Sequence, residues 1–223
     1  MTGFPLHPWD VDENEATQIQ LRVASLVVSS DDFTNVGLIG GVSVQPLDDT
    51  TIQAVVSVLD LPTMKKVDSA TATAKSTFPY IPGLRAFQAG PAIIAAFDKL
   101  QRRSDLVLWD GHGIAHPRCC GLASHLGVSL DVPSVGIAEE LVYGSCNLDE
   151  LGRERGSQIP VLDPNVRTEI GAAVRTRTDV RPIYVSIGHR VSLESAIRIV
   201  LQYTPRYRTP EPLRQARMLN KRG

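Results

Sequence analysis

Between residues 16 and 28 the apolar side chains Ala16, Ile19, Val23, Leu26 and Val27 fall at helical spacing behind the acids Glu13 and Glu15. That pattern predicts a first helix whose N-terminal carboxylates suit the helix dipole. Three β-rich runs follow, at 36–44, 52–60 and 65–75, separated by Pro46-Leu47-Asp48-Asp49 and Leu61-Pro62, which are turn compositions. They predict an antiparallel meander. Past the interruption at Pro79-Tyr80-Ile81-Pro82-Gly83, residues 90–100 form an amphipathic helix with Pro91 admissible in its first turn. The order then alternates: a buried strand at 106–109, a short helix at 120–126 and a strand at 134–138, which implies parallel pairing. Residues 148–180 are rich in charge and turn formers and give no firm strand. A strand is expected at 182–187, and a closing helix at 192–203 buries Leu193, Ala196, Ile197, Val200 and Leu201.

A chain of 223 residues with 43% hydrophobic content can bury one substantial core, and no composition shift divides it, so a single α/β domain over 1–223 is expected. The net charge of −1 gives no global signature of nucleic-acid binding, so any phosphate-binding surface is local. One such stretch begins near residue 204. Arg206, Arg208, Arg214, Arg217, Lys221 and Arg222 stand there against the single acid Glu211, which reads either as a phosphate-facing strip or as a solvated basic tail. Cys119, Cys120 and Cys146 form no Cys-x-x-Cys pair and fit a reducing cytoplasm. The N-terminus shows no secretion signal, and no apolar stretch approaches the ~20 residues that cross a bilayer.

Four segments carry chemistry. Asp110-Gly111-His112-Gly113 follows an apolar strand, so Asp110 reaches the carboxyl edge of a sheet, where ligands bind and a metal site can form; an Asp-Gly tight turn is the plainer alternative. His112 and His116 are four apart, but the glycines and Pro117 around them disfavour a helical zinc pair. Pro79-Tyr80-Ile81-Pro82 puts an aromatic and an aliphatic side chain on a stiff loop, suited either to entering a base stack or to an ordinary rigid turn. Gly188-His189-Arg190-Val191-Ser192 opens a helix, where a phosphate can dock or where Ser192 simply caps.

These segments, together with Phe78 and Leu84, the run 105–113, Ala115-His116-Pro117-Arg118, Ala123-Ser124-His125, the run 132–138 and Pro210-Glu211-Pro212, closely resemble the endonuclease V family in order and spacing. The resemblance implies an RNase H-like fold: a mixed central sheet, in which an antiparallel meander precedes β-α alternation, with flanking helices. It implies a magnesium or manganese cofactor and cleavage of DNA or RNA at the second phosphodiester bond 3′ to inosine or deoxyinosine, in DNA repair or RNA processing. On that basis Pro79, Tyr80, Ile81 and Pro82 correspond to the wedge that parts the strand. Gly83, Gly111, His112 and Gly113 correspond to the lesion pocket, and His116, Arg118 and Arg190 are expected phosphate contacts.

The catalytic set departs from the family pattern. Ser43 stands where a metal-binding aspartate is expected, Ala89 where a glutamate is expected, and Glu139 where a lysine faces the scissile phosphate; Asp110, the expected metal ligand, and His189 match. Hard divalent cations are held by carboxylates and substrate phosphates, so one aspartate makes a poor cage. A carboxylate at 139 would repel phosphate by roughly 1 kcal/mol at about 4 Å in water. Weak metal binding and reduced or absent hydrolysis are therefore expected, the alternative being a silent module that binds inosine-containing or branched nucleic acid. Glu139, Glu140, Asp48 or Asp49 could rescue activity only as relocated ligands.

Overall fold

The computed structural model describes residues 6–221, and its centre is one eight-stranded sheet in the order β3-β2-β1-β4-β5-β8-β7-β6. β1 (Leu38–Pro46), β2 (Thr51–Asp60) and β3 (Lys65–Lys75) form the expected antiparallel meander. β4 (Leu106–Asp110) and β5 (Ser134–Ala138) join it in parallel, as the strand-helix alternation required. Residues 148–180 hide a second meander. β6 (Gln158–Leu162) and β7 (Glu169–Val174) pair antiparallel with each other, and β7 pairs with β8 (Ile183–His189), which runs antiparallel to β5.

Among the described residues there are five α-helices: α1 (Glu13–Ala24), α2 (Arg85–Asp98), α3 (Leu122–Leu130), α4 (Leu193–Gln202) and α5 (Glu211–Asn220), of which α1 packs on α3 and the others on the sheet. α2 and α3 cover one face through Ala89, Ala92, Ile93, Leu122 and Leu126, which pack on Val42, Val56 and Trp109. α4 and Leu213 of α5 cover the other through Leu108, Val135, Ile137 and Val185. Because strand side chains alternate, Gly41, Ser43 and Gln45 all face α5 while Val42 and Val44 face α2.

Two departures from expectation shape the site. α2 begins five residues earlier, so Pro91 lies inside the helix and not in its first turn. The ring removes an N–H that Phe87 O would have accepted. Residues 211–220 are not a loose tail. Pro210 and Pro212 open a helix whose Pro212, Leu213, Ala216 and Asn220 are buried on the sheet.

The docking of α5 explains the polar inner positions of β1 and β2. A Cβ on Gly41 would stand 2.2 Å from the Pro212 carbonyl, so only glycine admits the helix this close. Ser57 Oγ donates to Pro212 O at 2.7 Å, and Gln53 Nε2 donates to the Asn220 side-chain carbonyl at 2.8 Å. Asn220 Nδ2 in turn donates to Ser43 Oγ at 3.3 Å. A helix end laid on a sheet must satisfy such groups internally.

Candidate nucleic-acid cleft

A cleft of about 420 Å³ opens at the carboxyl ends of β4 and β5. Tyr80, Pro82 and Gly83 form one wall, Asp110, Gly111 and His112 the floor, Glu139, Glu140 and Val142 the opposite wall, and Arg217 of α5 closes one side. Tyr80 and Val142 are each 68% exposed, so two apolar side chains flank the mouth in water.

The loop at 79–83 is fixed from behind. Phe78 is buried with Phe87 at its base. Gly83 sits at φ +82, where a side chain is strained, and its carbonyl accepts three hydrogen bonds: from Gln20 Nε2 at 2.9 Å, His116 Nε2 at 3.0 Å and Arg118 Nη2 at 3.1 Å. Arg118 Nε also donates to Gln20 Oε1. His116 and Arg118 are thus braces for the loop. With its Nε2–H donated to Gly83 O and its Nδ1 accepting from Arg118 N, His116 has no lone pair left for zinc. Burial, and then the nearby Arg118, push its pKa down to about 4, so the ring is neutral.

The floor is backbone held by close packing. Gly111 N donates to Ile137 O at 2.9 Å, Ala123 N to His112 O at 2.9 Å, and Gly113 N to Ser186 Oγ at 2.8 Å. A Cβ on Gly113 would lie 1.9 Å from Ile187 O. Gly113 therefore seats the floor between β8 and α3 and does not line the cleft, whereas Gly83, Gly111 and His112 do. Of the residues expected to form a wedge, Tyr80 and Pro82 line it, while Ile81 packs toward α1.

The expected catalytic positions are distributed differently from the sequence reading. Ser43 is on the same face as Asp110 but is 5% exposed under α5. Ala89 is buried in the α2 core. His189 is at the wrong edge: it pairs with Ser134 at the start of β5, whereas Ile137, three residues on, pairs with Asp110. Three strand steps are ~10 Å, so the ring cannot join Asp110. Instead Nδ1 accepts from Val28 N at 3.3 Å and Nε2 lies 3.7 Å from Asp131. Arg190 is beside it, tied to Asp32 and Asp131 at 3.0 Å each, and faces the same far edge.

Arg217 takes the place left at the cleft. Its Nε and Nη2 donate to Asp110 Oδ2 and Oδ1 at 2.9 and 2.7 Å, and its Nη1 donates to Glu139 Oε1. Arg208 holds the other Glu139 oxygen at 3.2 Å. Burial disfavours charge on Glu139, but Arg217 and Arg208 outweigh it and keep the carboxyl below its ordinary range. Glu139 is therefore not the bare repulsive charge that the sequence implied. Asp48 accepts from Thr50 and Thr51 N–H in the β1–β2 turn and is committed there.

These donors do not fit magnesium or manganese. Both oxygens of Asp110 and both of Glu139 are engaged by arginine, and among the described residues no three His, Cys, Asp or Glu side chains converge. Composition alone makes the run from 204 solvated or phosphate-facing, which leaves Arg217 undistinguished from its neighbours. The available signal was Pro210-Glu211-Pro212 followed by Leu213, Ala216 and Asn220 at helical spacing, which puts Arg217 on the edge of a buried face.

Known proteins agree with this architecture. The sequence profile of the Endonuclease V family matches residues 21–218. An Endonuclease V from Roseiflexus castenholzii is 44% identical over 218 residues, covering 97% of this chain and 96% of that protein. The crystal structure of Endonuclease V from Streptomyces avermitilis superposes with a TM-score of 0.89 at 38% identity, over 96% of this chain and 93% of that one. Endonuclease V from Ciona intestinalis, solved in complex with a 24mer DNA containing an inosine followed by a ribo-adenosine, superposes at 0.79 with 28% identity over 95% and 98%. With its RNase H-like sheet, this chain belongs to the endonuclease V family of nucleic-acid proteins.

Proposed function

We propose that the protein recognises inosine in a DNA or RNA strand at the Tyr80 cleft and hydrolyses the strand slowly or not at all. The observation that carries the second half is the two-pronged contact of Arg217 on Asp110, which occupies the one carboxylate of the expected metal set that this chain retains. Two-metal hydrolysis needs ligands that fix both the attacking water and the leaving oxygen. Ser43 and Ala89 supply neither. Recognition is supported by the exposed Tyr80 at the mouth of a backbone-floored cleft, and by the inosine-containing DNA bound to the Ciona relative.

The test is a labelled strand with one inosine and its adenine counterpart, incubated with magnesium or manganese and scored for both binding and cutting. Preferential binding of the inosine strand, with no cutting above that of Asp110→Ala, is the expected result. Inosine-directed cutting that Asp110→Ala abolishes would overturn the silent-site half, and equal affinity for both strands would overturn the recognition half.

A further inference from the structure

Two carboxylates at the cleft converge on one centre. Asp110, at the end of β4, offers Oδ1 and Oδ2, and Glu139, just after β5, offers Oε1; all three oxygens meet a single guanidinium. Oxygen donors from neighbouring strands aimed at a shared point are how proteins hold a hard divalent cation. Here the positive charge at that point belongs to the chain. Arg208 fixes Glu139 from its far side, and Thr209 Oγ1 accepts a further bond from Arg217 Nη1 at 3.4 Å. Of the five guanidinium N–H groups, one on Nη2 has no acceptor among the described residues.

We infer that Arg217 is the resident cation of this cleft: it stands between Asp110 and Glu139 where a divalent ion would, excludes that ion, and lets a strand bind without metal. Burial works against its charge, but Asp110 and Glu139 overcome that and hold it protonated above the ordinary arginine range. An ion would have to break the bidentate fork before reaching either carboxylate. Guanidinium also suits phosphate oxygens, so the N–H left over is a natural contact for a strand backbone. The metal-free binding of a strand rests on the reading of the cleft proposed above; the exclusion of metal does not.

Calorimetric titration with Mn²⁺ alone tests the exclusion. The wild-type protein should show no stoichiometric binding, and Arg217→Gln should bind Mn²⁺ at least ~10-fold more tightly, since both oxygens of Asp110 and Oε1 of Glu139 are released. Arg217→Gln/Asp110→Asn should lose that gain, and Arg217→Lys, which keeps a charge, should not show it. Arg217→Met preserves the aliphatic stem and is the second route should the glutamine variant fold poorly. Stoichiometric Mn²⁺ binding by the wild type that depends on Asp110 overturns the inference, as does the absence of any gain in a folded Gln or Met variant. In parallel, fluorescence anisotropy with a single-inosine strand should give the same affinity, within about two-fold, in EDTA and in Mg²⁺. A strong requirement for Mg²⁺ also overturns it. Failure of the strand to bind under every condition counts against the proposed recognition alone, because the Mn²⁺ titration decides the role of Arg217 independently.

Discussion

Arg217 and Asp110 lie 107 residues apart in the sequence yet share two N–H···O bonds of 2.9 and 2.7 Å, with both side chains only 25% exposed. A fork-to-fork pair at this depth is stronger than an ordinary surface bridge. A double-mutant cycle with Asp110→Asn and Arg217→Gln, read by denaturant unfolding, should give a coupling of about 1–3 kcal/mol. A coupling near zero would mean that the pair adds nothing to the docking of α5.

Tyr80→Ala should leave the melting temperature unchanged, because the ring is 68% exposed, while weakening binding of an inosine strand. A base stacked on an aromatic is worth about 1–3 kcal/mol, so the loss should be on the order of ten-fold or more. Unaltered affinity in an anisotropy titration would remove the wedge role.

Restoring the expected residues at three positions should not restore cutting. In Ser43→Asp/Ala89→Glu/Glu139→Lys, Arg217 still covers Asp110, and the new lysine removes a carboxylate that Arg217 now uses. Ser43→Asp also buries a charge against Asn220 at a site 5% exposed, which should lower stability by about 1–3 kcal/mol. A fourth change, Arg217→Asp, should be required before any inosine-directed cutting appears. Cutting by the triple variant alone, checked on a labelled strand, would refute this.

Acid should destabilise the fold from near neutrality downward. Burial pushes the folded pKa of His116 down to about 4, and that of His125 to about 3 with His7 adding to the effect, both below the unfolded value of 6.5. Below 6.5 the unfolded rings take up protons that the folded ones refuse, so this stability is complete above pH 6.5 and declines as pH falls toward 4. The decline is about 1.4 kcal/mol per pH unit for each ring. Glu139, whose folded pKa is lowered, adds a loss in the same direction once pH falls through its unfolded value. Urea unfolding at pH 7.5, 6 and 5 should show the decline, and His116→Gln, which keeps an N–H for Gly83 O, should make it shallower. A flat profile over this range would rule it out.

The meander, the strand ending in Asp110, the strand at 134–138 and the helix at 193–202 were legible in the sequence because each carries its own period, two for strands and about 3.6 for helices. The order and spacing of the motifs also carried the family resemblance and hence the fold, and the same resemblance marked Ser43 and Ala89 as standing where carboxylates are expected. What the sequence could not supply was position across the sheet. His189 and Asp110 both end apolar strands, but β8 runs antiparallel to β5, so pairing direction sends His189 to the opposite edge. β6 and β7 went unseen because their short runs lack clean alternation, and strand pairing across the sheet stabilises them. The fate of the basic C-terminal run was decided the same way. Whether Arg217 meets water, phosphate or Asp110 depends on Gly41, Ser57 and Gln53 admitting α5 onto the sheet, a contact between segments more than 150 residues apart that no local pattern records.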